Sequence, residues 1–106
     1  MQEPLLYIYY AILEKEPKFE LGITVMTRDV KKAMCKNYSF YDEVNECFQK
    51  YSQGDWGQFM FNSKGKPYKI KKGESVIGKY KTSQGDILIQ TEHDRSVTTI
   101  MLQENY

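Results

Sequence analysis

The residues best equipped for chemistry lie in one short stretch, Glu92-His93-Asp94-Arg95-Ser96, joined at a distance in the chain by Arg28 and Tyr80. A carboxylate, an imidazole, a guanidinium and a hydroxyl are the groups from which acid–base and electrostatic catalysis are assembled. Each also has a common structural use. An Asp before a Ser bonds turn amides, an Arg in such a turn pairs with a carboxylate such as Asp94, Glu92 or Asp55, and a lone His in a turn is ordinarily a turn residue. With one His and two Cys in the chain, none at ligand spacing, no metal site is expected. P-loop, GxGxxG, HExxH and GxSxG patterns are all absent from the sequence. The sequence therefore offers fragments of a catalytic centre without a base, an electrophile and a pocket together. No catalytic residue is assigned, no cofactor is expected, and Arg28, Asp55, Trp56, Asp94, Arg95 and Ser96 are read as structural motif positions.

The elements that must hold these groups are legible from patterning. Ile87-Leu88-Ile89 and Val97 to Leu102 are apolar runs on either side of the charged stretch, a hairpin signal that predicts strands over 86–91 and 97–103. Leu5 to Leu13 and Phe19 to Met26 carry aromatic and branched residues around the break Glu14-Lys-Glu-Pro-Lys18, which predicts a first hairpin, 5–13 against 19–26. Thr27 suits a helix N-cap with Asp29 in the first turn, so a short helix should run from Arg28 to about Lys36. Ser39 is read as the cap of a second helix, with Asp42 three residues on. Phe40, Val44, Cys47, Phe48 and Tyr51 fall at i, i+4, i+7, i+8 and i+11, one apolar stripe on a helix ending near Ser52, with Gly54 beyond it. The fold predicted is α+β, a small antiparallel sheet with an amphipathic helix packed across one face. Trp56, flanked by Asp55 and Gly57, should plug the end of the core.

At 106 residues the chain is read as a single domain, 1–106, with 41% hydrophobic and 27% charged residues, ordinary for a soluble globular protein. Cys35 and Cys47 are expected as reduced thiols of a cytoplasmic protein. The apolar run Leu5 to Leu13 is interrupted by Glu14, too short for a membrane span, and no membrane association is expected. Net charge is +1, yet Lys64, Lys66, Lys69, Lys71, Lys72, Lys79 and Lys81 lie in one stretch with Glu74 the only acid among them. Lysines interleaved with Tyr68 and Tyr80 are the footprint of a surface that meets phosphates or an acidic protein. Lys69, Lys71, Lys72, Lys79, Tyr80 and Lys81 are the candidate partner-binding residues.

Three segments carry a resemblance: Leu21-Gly-Ile-Thr-Val-Met-Thr-Arg-Asp-Val30, Gly54-Asp-Trp-Gly57, and Ile89-Gln-Thr-Glu-His-Asp-Arg-Ser-Val-Thr-Thr-Ile100, with a terminal Glu-Asn-Tyr. They resemble a family of small phage- and plasmid-related proteins of Gram-positive bacteria, over roughly residues 19–106. Residues 1–18 look like an added strand, and 58–75 are basic where relatives tend to be acidic and helical. The resemblance implies a mobile-element protein in the cytoplasm of a bacterial host. Two functions fit that setting: an interaction protein that binds and inhibits a host protein or protein–nucleic acid complex, as anti-restriction and anti-CRISPR proteins do, with nucleic-acid phosphate contacts among its options, or a RelE-like RNA-cleaving toxin. A charge of +1 favours the first, since RNA-cleaving toxins of that kind are usually far more basic.

Overall fold

The computed structural model describes residues 5–57 and 73–105. Five strands form one sheet: β1 (Leu6–Ile8), β2 (Ile23–Thr27), β3 (Val76–Thr82), β4 (Gly85–Thr91) and β5 (Val97–Leu102), in the order β1-β2-β5-β4-β3. Between β2 and β3 come α1 (Arg28–Lys36) and α2 (Tyr38–Ser52), and a short 3-10 turn, Gln103–Asn105, follows β5. The fold is α+β with α2 packed across one face of the sheet, as the sequence predicts, and α1 lies on the same face.

Alternation along the strands decides which face the helices cover, because successive side chains point to opposite sides. Val76, Gly78 and Tyr80 of β3 pair with Thr91, Ile89 and Ile87 of β4, which pair in turn with Thr98, Ile100 and Leu102 of β5. This row is the floor of the core. The stripe on α2 meets it: Phe40, Val44, Phe48 and Tyr51 are fully buried, and Cys47 is 7% exposed. A fully buried side chain of this size contributes about 1.5–3 kcal/mol, so the stripe alone is a large share of the fold's stability. Val30 and Met34 give α1 its buried side. On the opposite face Leu88 and its cross-strand partner Met101 are also buried.

Three boundaries differ from the sequence expectation. The first hairpin is short: Leu6 pairs with Thr27 and Ile8 with Val25, and beyond Tyr9, whose N–H still reaches the Thr24 carbonyl, the chain leaves the sheet. It crosses α2 instead, where Gln49 bonds the main chain of Ile12 and Glu14, Gln53 bonds the Glu16 carbonyl and Lys18 N–H bonds the Ser52 carbonyl. The apolar run Leu5 to Leu13 is thus divided between a strand and a strap. The second helix is capped by Asn37, not Ser39, because the Asn37 Oδ1 accepts from the N–H groups of Ser39 and Phe40. Asn37 is also the C-cap of α1, its own N–H bonding the Ala33 carbonyl, so one residue makes the whole corner. Finally, one pair of neighbours, β2 and β5, runs parallel, from Ile23 opposite Val97 to Met26 opposite Ile100. The other three pairs are antiparallel.

Thr27 caps α1 as expected, its side chain accepting from Val30 N–H at 3.4 Å. No helix among the described residues is long and apolar enough to cross a membrane.

Candidate functional site

Two of the motif segments, 21–30 and 89–100, meet at one end of the sheet, and hydroxyl groups join them. Thr98 Oγ1, in β5, donates to the Leu21 carbonyl at 2.6 Å and lies 2.7 Å from Thr91 Oγ1. Thr91 Oγ1 lies in turn 2.7 Å from the Tyr51 hydroxyl, which donates to the Val76 carbonyl at 2.8 Å. All three hydroxyl residues are fully buried. The chain of contacts has a fixed proton count. Two protons go to the terminal carbonyls, leaving the Thr91 proton to serve two contacts, so Thr91 donates to Tyr51 or to Thr98 but not to both. Such a chain crosses β3, β4 and β5 and reaches the segment before β2, which ties the ends of four elements together.

Close backbone approach explains the glycines of the motifs. Gly22 has φ +63°, and a Cβ there would lie 2.2 Å from the Ser96 carbonyl oxygen, the oxygen that accepts from Ile23 N–H at 3.0 Å. Gly57, at φ +69°, would place a Cβ 2.1 Å from the Lys79 carbonyl. Only Gly fits both the left-handed conformation and the contact. Trp56 is 4% exposed and meets Phe19 and Tyr51 edge-to-face at 5.8 and 5.4 Å, so it closes the core at the end of α2. Asp55 Oδ1 accepts from Gly57 N–H at 3.0 Å.

The charged stretch is a turn built from its own side chains. Asp94 Oδ1 accepts from Ser96 N–H at 3.0 Å and from Ser96 Oγ at 2.6 Å. These bonds favour the ionised form and hold the Asp94 carboxyl below its ordinary range. Arg95 takes φ +63°, its N–H bonding the Glu92 carbonyl at 2.9 Å. Its guanidinium donates to the main-chain carbonyls of Glu74 and Glu92. What it braces is the approach of the segment before β3 to the turn.

Arg28 and Tyr80 do not join the charged turn. His93 is exposed in the turn. Arg28 begins α1 at the far end of β2, and at about 3.3 Å per strand residue it lies on the order of 15 Å from that turn. Tyr80 is 4% exposed, with its hydroxyl donating to the Asp55 carbonyl. That burial raises its phenol well above the ordinary range and corrects its assignment as a partner-binding residue: the ring belongs to the core. The signal was present, since Val76, Gly78 and Tyr80 alternate with Ile77, Lys79 and Lys81. Of the candidate lysines, Lys79 and Lys81 lie on the face away from the helices, Lys81 exposed and Lys79 Nζ 3.6 Å from Asp86 Oδ2. Lys69, Lys71 and Lys72 lie outside the described residues. Among the described residues no three His, Cys, Asp or Glu side chains gather as a metal site requires.

The sequence reading passed over a second basic surface. The helix α1 carries Arg28, Lys31, Lys32 and Lys36 against the single acid Asp29, in a chain whose net charge is only +1. Cations at i, i+3, i+4 and i+8 share the outward side of a helix, and that spacing was the missed signal. Comparison with protein-family models, with curated proteins and with solved structures finds nothing that matches this chain.

Proposed function

We propose that the protein is a non-enzymatic binding module, made by a phage or plasmid, that docks on a host protein or nucleoprotein complex and inhibits it, in the manner of an anti-CRISPR or anti-restriction protein. One observation carries this reading: the motif residues spend their polar groups on the fold. Tyr51, Thr91 and Thr98 join the strands, Asp94 and Ser96 close their own turn, and Arg95 braces main chain. What is left for function is the outer surface. Lys81, exposed on the edge strand β3, and Lys79, whose charge is shared with Asp86, follow Lys69, Lys71 and Lys72 in the chain, and together they provide a cationic contact region that suits an acidic protein face or a phosphate backbone. Charge of this kind acts chiefly on the association rate and is screened over about 10 Å at 0.1 M salt.

The test is affinity capture from a bacterial host lysate, with and without nuclease, using the parent protein and a Lys71→Glu/Lys72→Glu/Lys81→Glu variant whose folding is checked by circular dichroism. A partner retained by the parent after nuclease, and lost with the folded variant, supports the reading. Equal capture by both at low salt removes the basic segment from the interface. RNA cleavage by the purified protein that disappears on His93→Ala or Arg95→Ala replaces inhibition with the toxin reading.

A further inference from the structure

The corner at Asn37 leaves an open cleft of about 390 Å³ where α1 ends and α2 begins, lined by Met26, Lys31, Met34, Cys35, Tyr38 and Tyr41. Its volume lies within the range of roughly 300–1,000 Å³ typical of ligand sites. Two aromatic rings stand at its rim in the first turn of α2, Tyr38 at 87% exposure and Tyr41 at 43%. They are three residues apart and therefore share one side of the helix. The two methionines give the wall a polarizable, adaptable surface of the kind that accepts a flat ring. Lys31 stands at the edge, its ammonium 3.8 Å from the centre of the Tyr7 ring, a cation–π contact that fixes where the charge sits. Lys32 and Lys36 follow along the exposed side of the same helix. The negative dipole end of α1 and the positive end of α2 meet at this corner and oppose each other, so the attraction for an anion comes from the lysines.

Each part of this arrangement selects a property of the ligand. The cations call for an anion, the exposed rings for a partner with a π-face, and the cleft for a group small and flat enough to enter singly. A duplex hides its bases, and an acidic protein surface would use the lysines but not the cleft. We propose that this cleft takes one unstacked nucleobase of a single-stranded nucleic acid, stacked on Tyr38 and Tyr41, while Lys31, Lys32 and Lys36 meet the adjoining phosphates. The site lies over β2 at one side of the sheet, whereas Lys79 and Lys81 lie on the opposite face at the β3 edge. The two surfaces are separate, and charge reversal at Lys81 leaves this one intact.

The experiment is fluorescence anisotropy with a labelled oligouridylate and the matching oligodeoxythymidylate. A duplex of the same length, free uridine monophosphate and polyglutamate serve as competitors. Three lysine–phosphate contacts predict a log–log salt slope of about −2, so affinity should fall roughly 20-fold between about 50 and 200 mM salt. Tyr38→Ala should weaken single-strand binding by roughly 5- to 150-fold, the span reported for loss of one base–aromatic stack. Lys32→Glu/Lys36→Glu should flatten the salt slope, a readout that loss of stability would not produce. Bound oligonucleotide should also slow maleimide labelling of Cys35, which lines the cleft. Absence of single-strand binding, equal affinity for the duplex with Tyr38→Ala silent, or preferential displacement by polyglutamate would each overturn the proposal, the last in favour of an acidic protein partner. Displacement by the mononucleotide at equal concentration keeps the base and phosphate chemistry but overturns the strand in favour of a free nucleotide.

Discussion

Replacing the two buried threonines one at a time by valine should have unequal effects, although the two substitutions are chemically identical. Thr91 and Thr98 are both fully exposed to no solvent at all, both sit in central strands, and each exchange swaps a hydroxyl for a methyl of nearly the same size. The gain from the added methyl, at most about 0.8 kcal/mol, is common to both. The difference lies in what is left without a donor. In Thr91→Val the Tyr51 proton still reaches the Val76 carbonyl at 2.8 Å and the Thr98 proton still reaches the Leu21 carbonyl at 2.6 Å; only the shared proton in the middle disappears. That hydrogen bond is worth about 0.5–1.5 kcal/mol, largely offset by the methyl. In Thr98→Val the buried Leu21 carbonyl loses its donor, a penalty of about 1–3 kcal/mol. Thr98→Val should therefore be less stable than Thr91→Val by about 1–2 kcal/mol, or roughly 4–16 °C in Tm for a domain near this size. Urea unfolding followed by far-ultraviolet circular dichroism measures it, provided the m-value is unchanged. If Thr91→Val is as destabilising as Thr98→Val, the proton count across the strands is wrong.

Further outcomes follow from the packing and the titratable groups. Val44→Asp places an unpaired charge at a fully buried position on α2 and should cost on the order of 4 kcal/mol; an unchanged thermal midpoint would refute the packing of α2 on the sheet. Alkylation of the native protein should modify the exposed Cys35 and spare Cys47, which is buried and has its thiol pushed up to about 11, chiefly by desolvation; mass spectrometry should find Cys47 labelled only in denaturant. Burial holds the phenols of Tyr9, Tyr51 and Tyr80 protonated well above their ordinary range. A pKa raised in the folded state means that the stabilisation is complete below about pH 10 and is lost as pH rises beyond it. Ultraviolet titration should show these three tyrosines ionising together with alkaline unfolding, and their ionisation in a still-folded protein would contradict the burial.

The sequence made the helices readable because their signals are local. Thr27 with Asp29 marks the start of α1, and the 3.6-residue stripe from Phe40 to Tyr51 marks the buried side of α2. The misplaced cap arose because Asn37 serves two helices at once, whereas Ser39 had the right chemistry two residues too late. Leu5 to Leu13 could not be divided from sequence, since its residues satisfy a strand's composition whether they pair with β2 or cross α2. The parallel contact of β2 with β5 was hidden for a different reason: its partners stand more than 70 positions apart, as in the bond from Thr98 to Leu21, and no local pattern encodes such a pairing. At the candidate sites, the bonds of Asp94 to Ser96 follow from turn chemistry that the sequence displays, but Tyr80 was assigned by its neighbours' charge when its alternation in β3 pointed inward. The cleft at the α1–α2 corner depended on the sharpness of the Asn37 turn, which composition does not express.

The strand order has a consequence for how the molecule comes into being. β5 is the last of the five described strands in chain order, yet it stands in the middle of the sheet, between β2 and β4. Before it is available, the remaining strands can pair only as β1 with β2 and β3 with β4, each pair with an inner edge unpaired. Neither can close over the helices, because the keystone is missing. Such edges template misassociation, and the long loop that β5 must close onto β2 makes the final step slow relative to helix formation. The sheet should thus close as one unit only once residues 97–102 pair with both neighbours.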